Sequence, residues 1–114
     1  MTHANERKHI LSDLAPNGKG HLIKEALLSD DQLGDHCRMF SRVVLEPGCA
    51  LGYHTHQGET ETYYLLSGSG IYNDNGTLLP VTAGDVTFCE DGSGHGIENT
   101  GDTDLCFLAL ILKK

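Results

Sequence analysis

Gly48-Cys-Ala-Leu-Gly-Tyr-His54-Thr-His56-Gln-Gly-Glu-Thr-Glu61-Thr-Tyr-Tyr-Leu-Leu-Ser-Gly68 is the stretch that decides how this chain is read. It sets two histidines one residue apart and a glutamate five residues after the second, a metal-site spacing. In an extended strand alternate side chains share a face, so His54 and His56 point the same way, about 7 Å apart along the backbone, and their imidazoles can converge on one ion. The connection Gln57 to Thr60 contains Gly58 and is short enough to return the chain so that Glu61 opens the next strand beside them. A fourth candidate, His95, follows in Gly84-Asp-Val-Thr-Phe-Cys-Glu-Asp-Gly92-Ser-Gly-His95-Gly-Ile-Glu-Asn99.

Three neutral imidazoles and one carboxylate suit a divalent first-row metal, Fe, Mn, Ni, Cu or Zn, and the spacing does not choose among them. Four protein ligands leave one or two positions open on a five- or six-coordinate ion, and open positions are where ligands bind or chemistry happens. Glu61 is also a candidate general base, leaving three histidines and solvent on the ion. The competing reading of His54, His56, Glu61 and His95 is a buried polar cluster that keeps a hydrogen-bond network without a metal. Burying a carboxylate beside imidazoles without an ion is costly unless every group is paired.

These residues resemble the two motifs of the cupin superfamily. The first, Gly, five residues, His-x-His, three or four residues, Glu, six residues, Gly, is matched at every specified position over 48–68. The second, Gly, five residues, Pro-x-Gly, two residues, His, three residues, Asn, is matched over 84–99 at Gly84, Gly92, His95 and Asn99, with Glu90 in place of the proline. That departure concerns the shape of a turn and leaves the ligand types untouched. The spacer of fifteen residues is similar to that of small microbial single-domain cupins. The resemblance implies an all-β fold, an antiparallel double-stranded β-helix or jelly-roll barrel with the metal inside, and a homodimer.

Composition agrees. At 114 residues and 12.3 kDa the chain has length for one core and not for two, so 1–20 is expected as an irregular N-terminal segment and 21–114 as a single barrel domain. No apolar run approaches the roughly 20 residues that span a bilayer, and the charged start Met1-Thr-His-Ala-Asn-Glu-Arg-Lys-His lacks the apolar stretch of a signal peptide. A soluble, cytoplasmic protein with no membrane partner is the expectation. Cys37, Cys49, Cys89 and Cys106 form no C-x-x-C pair and read as buried thiols. A formal charge of -8 without a basic cluster argues against a nucleic-acid partner, because counterion release needs a basic surface.

Along the chain, Pro16-Asn-Gly18-Lys-Gly20 forbids a long helix near the N-terminus. His21 to Leu28 fits a short helical stripe or a strand, and the resemblance favours the strand. Strands are expected at Arg38 to Leu45, Thr62 to Leu66, Gly70 to Tyr72, Thr77 to Thr82, Asp85 to Cys89 and Gly96 to Asn99, with a hairpin at Asn75-Gly76. Leu105 to Leu112 is continuously apolar. One face of an antiparallel barrel is normally wet, so this strand points to a covering surface, most simply a second copy of the chain.

Tyr63 and Leu65 share the parity of Glu61 and are expected in the cavity, Tyr63 as core filling or as a substrate contact through its hydroxyl. Arg38 and Arg42 share one strand face and are candidates to hold an anionic substrate. His3, His9, His21 and His36 lie outside the motifs and read as exposed; Asn99 reads as a turn or hydrogen-bonding residue. The leading functional expectation is a metal-dependent enzyme acting on a small molecule that chelates the ion through oxygen, by oxygenation, isomerisation or lyase chemistry, with a dioxygenase-like oxidoreductase favoured by analogy with cupins. The alternative is a module that binds or senses a small molecule without turning it over.

Overall fold

The structure is a computed structural model that describes residues 1–13 and 17–114. Ten strands make two antiparallel sheets. The larger runs β1 (Ile10–Asp13), β2 (His21–Ala26), β3 (Cys37–Leu45), β10 (Leu105–Lys113), β5 (Glu59–Ser67), β8 (Val86–Cys89) in spatial order. The smaller runs β4 (Ala50–Thr55), β9 (Gly94–Glu98), β6 (Ser69–Asp74), β7 (Thr77–Thr82). A single helical turn, α1 (Asp30–Leu33), links β2 to β3 and is capped by Ser29, whose hydroxyl accepts from the Gln32 amide. The jelly-roll barrel expected from the motifs is therefore the fold.

Alternation builds the core. On β10, Leu105, Phe107, Ala109 and Ile111 point inward and are buried, while Leu108 and Leu110 face out and stay half-covered. The register sets Phe107 between Val43 and Leu65, and Ala109 between Ser41 and Tyr63. Burial of one such large side chain is worth roughly 1.5–3 kcal/mol. The continuous apolarity of β10 thus splits into two faces, and a single chain buries only the inner one. The outer face of the large sheet continues across Tyr64, Leu66, Val86 and Phe88, all exposed.

The turns follow their chemistry. Asn75 and Gly76 both have positive φ, 50° and 102°, as a type I′ hairpin requires, and Asn73 Oδ1 accepts from the Gly76 amide at 2.7 Å. At Gly68, φ is 85° and a Cβ would stand 2.4 Å from the Asp104 carbonyl oxygen, so only glycine fits between β5 and β6. Asn99 is buried and fully engaged: its amide donates to the carbonyls of Leu45 and Thr103, and its oxygen accepts from Gly101 N. It is a loop clasp, as its position in the second motif suggested.

Two expectations are corrected, and a third lies partly outside the described residues. Residues 10–13 form the edge strand β1 where an irregular segment was expected; Ile10 and Leu11 are both exposed, so this strand has no buried alternation to announce it. Pro16 lies outside the described residues, so the turn reading is testable only from Asn17 onward, where Lys19 bridges to Ala50. Finally, β5 does not run beside β4. Gly58, with φ 74°, lets the chain cross from the small sheet to the large one, so Glu61 arrives from the opposite layer.

Candidate metal centre

Each donor is aimed by a separate local device. His54 sits near the end of β4 opposite His95 on β9, just past a bulge in which Gly52 and Tyr53 oppose Gly96. A Cβ on Gly96 would lie 3.0 Å from the Leu51 carbonyl oxygen, so that close approach depends on glycine. His56 lies one residue beyond β4. Its backbone is pinned to the turn before His95, with Gly92 N donating to His56 O at 2.8 Å and His56 N donating to Ser93 O at 3.0 Å. That turn closes through Ser93 N on Glu90 O at 3.0 Å, so the missing motif proline costs the site nothing visible. Glu61 enters from β5, between Ile111 and Cys89.

The four side chains converge. Nε2 of His56 and His95 stand 3.0 and 2.9 Å from Glu61 Oε1, His54 Nε2 is 3.7 Å from it, and the two Nε2 atoms of His56 and His95 are 3.1 Å apart. All four ligand atoms lie within 4.8 Å of one another. Donors held about 2.1 Å from one ion at right angles stand about 3 Å apart, so this donor set fits a metal.

The other ring nitrogens of His54 and His56 face acceptors, which fixes those two tautomers. His54 Nδ1 donates to the Gly52 carbonyl at 2.8 Å and His56 Nδ1 donates to the Glu59 carboxylate at 2.7 Å. His95 Nδ1 meets the Tyr72 hydroxyl at 2.8 Å. Nδ1 held in this way would let each Nε2 turn its lone pair to a bound ion, the arrangement that orients imidazole ligands, whereas without an ion the Nε2 atoms face the Glu61 carboxylate as donors. Glu59 is itself gripped by Arg38 through Nε and an Nη, both at 2.7 Å. The chain Arg38–Glu59–His56 therefore reaches the centre from the cavity mouth.

The electrostatics match. Burial alone raises the Glu61 carboxyl, but hydrogen bonds from His54 and His95 and the nearby imidazoles outweigh it and hold it at about 2. His54 is raised, first by its contact with Glu61, while desolvation lowers His95. Tyr63 is fully buried, stacks on the His95 ring and donates to Glu61 Oε1 at 3.3 Å; burial drives its phenol well above its ordinary value.

A cavity of about 240 Å³ opens over the donors, lined by His54, His56, Glu61, Tyr63, Lys24 and Arg38 among apolar side chains. Arg38 and Arg42 do not share a face. The β3–β10 register skips Arg38, and this bulge turns it and Met39 to the same cavity. Arg42 keeps the regular parity and points outward, 3.7 Å from buried Glu25 on β2, so it is removed from the site. His9 and His21 pair with Glu25 and Glu46 away from the centre. The four cysteines are free, and all but Cys37 are buried.

Sequence reasoning missed Glu59, Tyr72 and Lys24. Glu59 had a signal, since it shares the strand parity of Glu61. Lys24 had one too, sharing parity with Leu22 on β2. Tyr72 had none, because its contact with His95 is purely tertiary.

A jelly-roll barrel carrying three imidazoles and one carboxylate on its inner wall defines a class of small β-barrels whose inner donors could hold a metal ion. The chain belongs to the Cupin domain family, whose model matches residues 41–111. It is similar to the oxalate-binding protein of Thermotoga maritima, 48% identical over 95 residues that span 83% of this chain and 78% of that protein. The crystal structure of a predicted oxalate decarboxylase from Thermotoga maritima matches with TM-score 0.94 at 42% identity, covering 100% of this chain and 99% of that one. The tetracenomycin polyketide synthase protein TcmJ of Streptomyces glaucescens is 28% identical over 102 residues, 90% of this chain and 68% of that protein.

Proposed function

We propose that this protein holds one divalent transition metal per chain through His54, His56, Glu61 and His95, and binds a small oxygen-chelating carboxylate of the oxalate class above it. The observation that carries the reading is the convergence of the four donors in a cavity whose walls also bring Lys24 and Arg38, two cations suited to an anionic ligand. The relative that shares 48% identity is named for oxalate binding, which agrees in chemical class. When bound, the metal supplies a Lewis-acidic centre for chelating oxygens. The protein's own groups orient the imidazoles, keep Glu61 ionised and line the cavity with apolar surface that strengthens polar contacts inside.

Turnover, by a dioxygenase-like, isomerase or lyase route with Glu61 as base, is the second reading. It is favoured by the buried Tyr63 hydroxyl on Glu61, which gives that carboxylate a neighbouring proton carrier. Elemental analysis of untagged protein beside His56→Ala, followed by oxalate titration of the loaded protein with oxygen and carbon dioxide monitored, tests both. About one metal per chain, lost in the variant, with saturable oxalate binding supports the first reading, and gas exchange adds the second. Protein that takes up no Fe, Mn, Ni, Cu or Zn refutes both.

The reading extends to a homodimer. The outer face of the large sheet presents Tyr64, Leu66, Val86 and Phe88 beside the half-covered Leu108 and Leu110, an apolar surface of the kind a second copy covers. No helix among the described residues is long and apolar enough to cross a membrane.

A further inference from the structure

The cavity over the donors is larger than oxalate needs. A closed cavity of about 150 Å³ accommodates benzene, a ligand of six heavy atoms, and oxalate also has six. Here about 240 Å³ is available, open at one end. The added space is not polar: Leu22, Met39, Val43, Leu51, Phe107 and Ile111 wall it. Such a wall suits a short run of methylene groups and gives nothing to a second pair of carboxylate oxygens.

Among the described residues, one polar group on this wall has no hydrogen-bonding or ion-pair partner. Lys24, half-buried on β2, lines the cavity, with Val43 opposite it in the β3 register. The lysines and arginines that form ion pairs among the described residues are Arg7, Lys19, Arg38 and Arg42. Arg38, the other cation of the cavity, already spends both of its near donors on Glu59. Lys24 is thus the ammonium left to meet an incoming anion, and it stands on the large sheet, whereas His54 and His95 stand on the small one. An ammonium half-withdrawn from water beside apolar side chains gains most from a carboxylate brought to it.

We infer that the preferred ligand is a 2-hydroxy dicarboxylate of four or five carbons. Its hydroxyl and adjacent carboxylate occupy the donor side of the cavity, its methylene spacer lies on the apolar wall, and its far carboxylate meets Lys24. The inference rests on the metal-and-carboxylate reading above and adds the length of the ligand and the residue that reads its far end.

The test is calorimetric titration of the full chain loaded with Mn(II), using 2-hydroxyglutarate, the chain-matched monoacid 2-hydroxypentanoate, and oxalate. The diacid is expected to bind at least tenfold tighter than the monoacid. Lys24→Met is expected to bring the two within twofold, with the diacid losing the more affinity, and Lys24→Arg is expected to retain the preference. Equal affinity of the two five-carbon acids in the wild type, with oxalate still binding, overturns the inference and leaves the oxalate-class reading standing. A loaded protein that binds none of the three overturns both. A preference that survives in Lys24→Met overturns the assignment to Lys24.

Discussion

Tyr72→Phe removes one oxygen atom and replaces none of the four candidate metal ligands. The Tyr72 hydroxyl stands 2.8 Å from His95 Nδ1, and both residues are almost completely buried, at 2% and 0% exposure. Without it, His95 Nδ1–H keeps its proton but loses its acceptor in a place water does not reach. Leaving such a donor unsatisfied costs about 1–3 kcal/mol. At about 1.4 kcal/mol per factor of ten, metal affinity is expected to fall about 5- to 140-fold, which brackets the roughly 10- to 100-fold typical when groups behind metal ligands are removed. Tyr63→Phe is the comparison. Its hydroxyl lies 3.3 Å from Glu61 Oε1, an oxygen already approached by two imidazoles at 3.0 Å or less, so a loss of no more than about threefold is expected. Competition against a fluorescent chelator, run well below the melting temperature of each variant, measures both. A Tyr72→Phe protein that binds metal within twofold of wild type refutes the claim that this hydroxyl orients His95.

Other outcomes follow from the same geometry. Glu61 is held at about 2 against an ordinary 4.5, so its ionised form contributes stability that is present above about pH 4.5 and lost as pH falls toward 2, on the order of 3 kcal/mol in metal-free protein. Urea unfolding from pH 5 to pH 2.5 should therefore show a steeper decline for wild type than for Glu61→Gln, and equal slopes would contradict the assignment. Free metal at one hundred times its Kd is expected to add about 2.7 kcal/mol of stability, visible as a rise in Tm that His56→Ala abolishes; a rise that persists in the variant places the ion elsewhere. Gly68→Ala, which sets a Cβ 2.4 Å from the Asp104 carbonyl oxygen at φ 85°, is expected to lower Tm by several degrees, and an unchanged Tm would show that the turn relaxes. Leu110→Asp on the outer face of the large sheet should convert a two-chain species to one chain by light scattering, and a wild type already monomeric rejects the dimer.

The parts legible in the sequence were those that local rules determine. Glu61, Tyr63 and Leu65 alternate with Thr62, Tyr64 and Leu66, and the structure buries the first set and leaves the second half-covered or exposed. The four donors were legible because their spacing is fixed by tight turns at glycines. Arg42 was misread as sharing the face of Arg38, which does line the cavity, because a bulge inserts one residue into the count, and parity arguments have no means of seeing it. The passage from β4 to β5 was misread because one positive φ at Gly58 decides whether the chain returns to its own sheet or crosses to the other. Strand β1 was missed because its apolar residues are exposed and its pairing to β2 is made by the backbone.

That crossing has a mechanical side. His54 and His95 belong to the small sheet and Glu61 to the large one, so an ion gripping all three would act as a rivet through both layers of the barrel. Without it the layers are joined at that end by side-chain contacts and by two chain crossings, one through Gly58 and one between Cys89 and Gly94. Amide exchange in β4, the edge strand of the small sheet, should then quicken on chelation far more than in β10, which is hydrogen-bonded on both sides within one sheet.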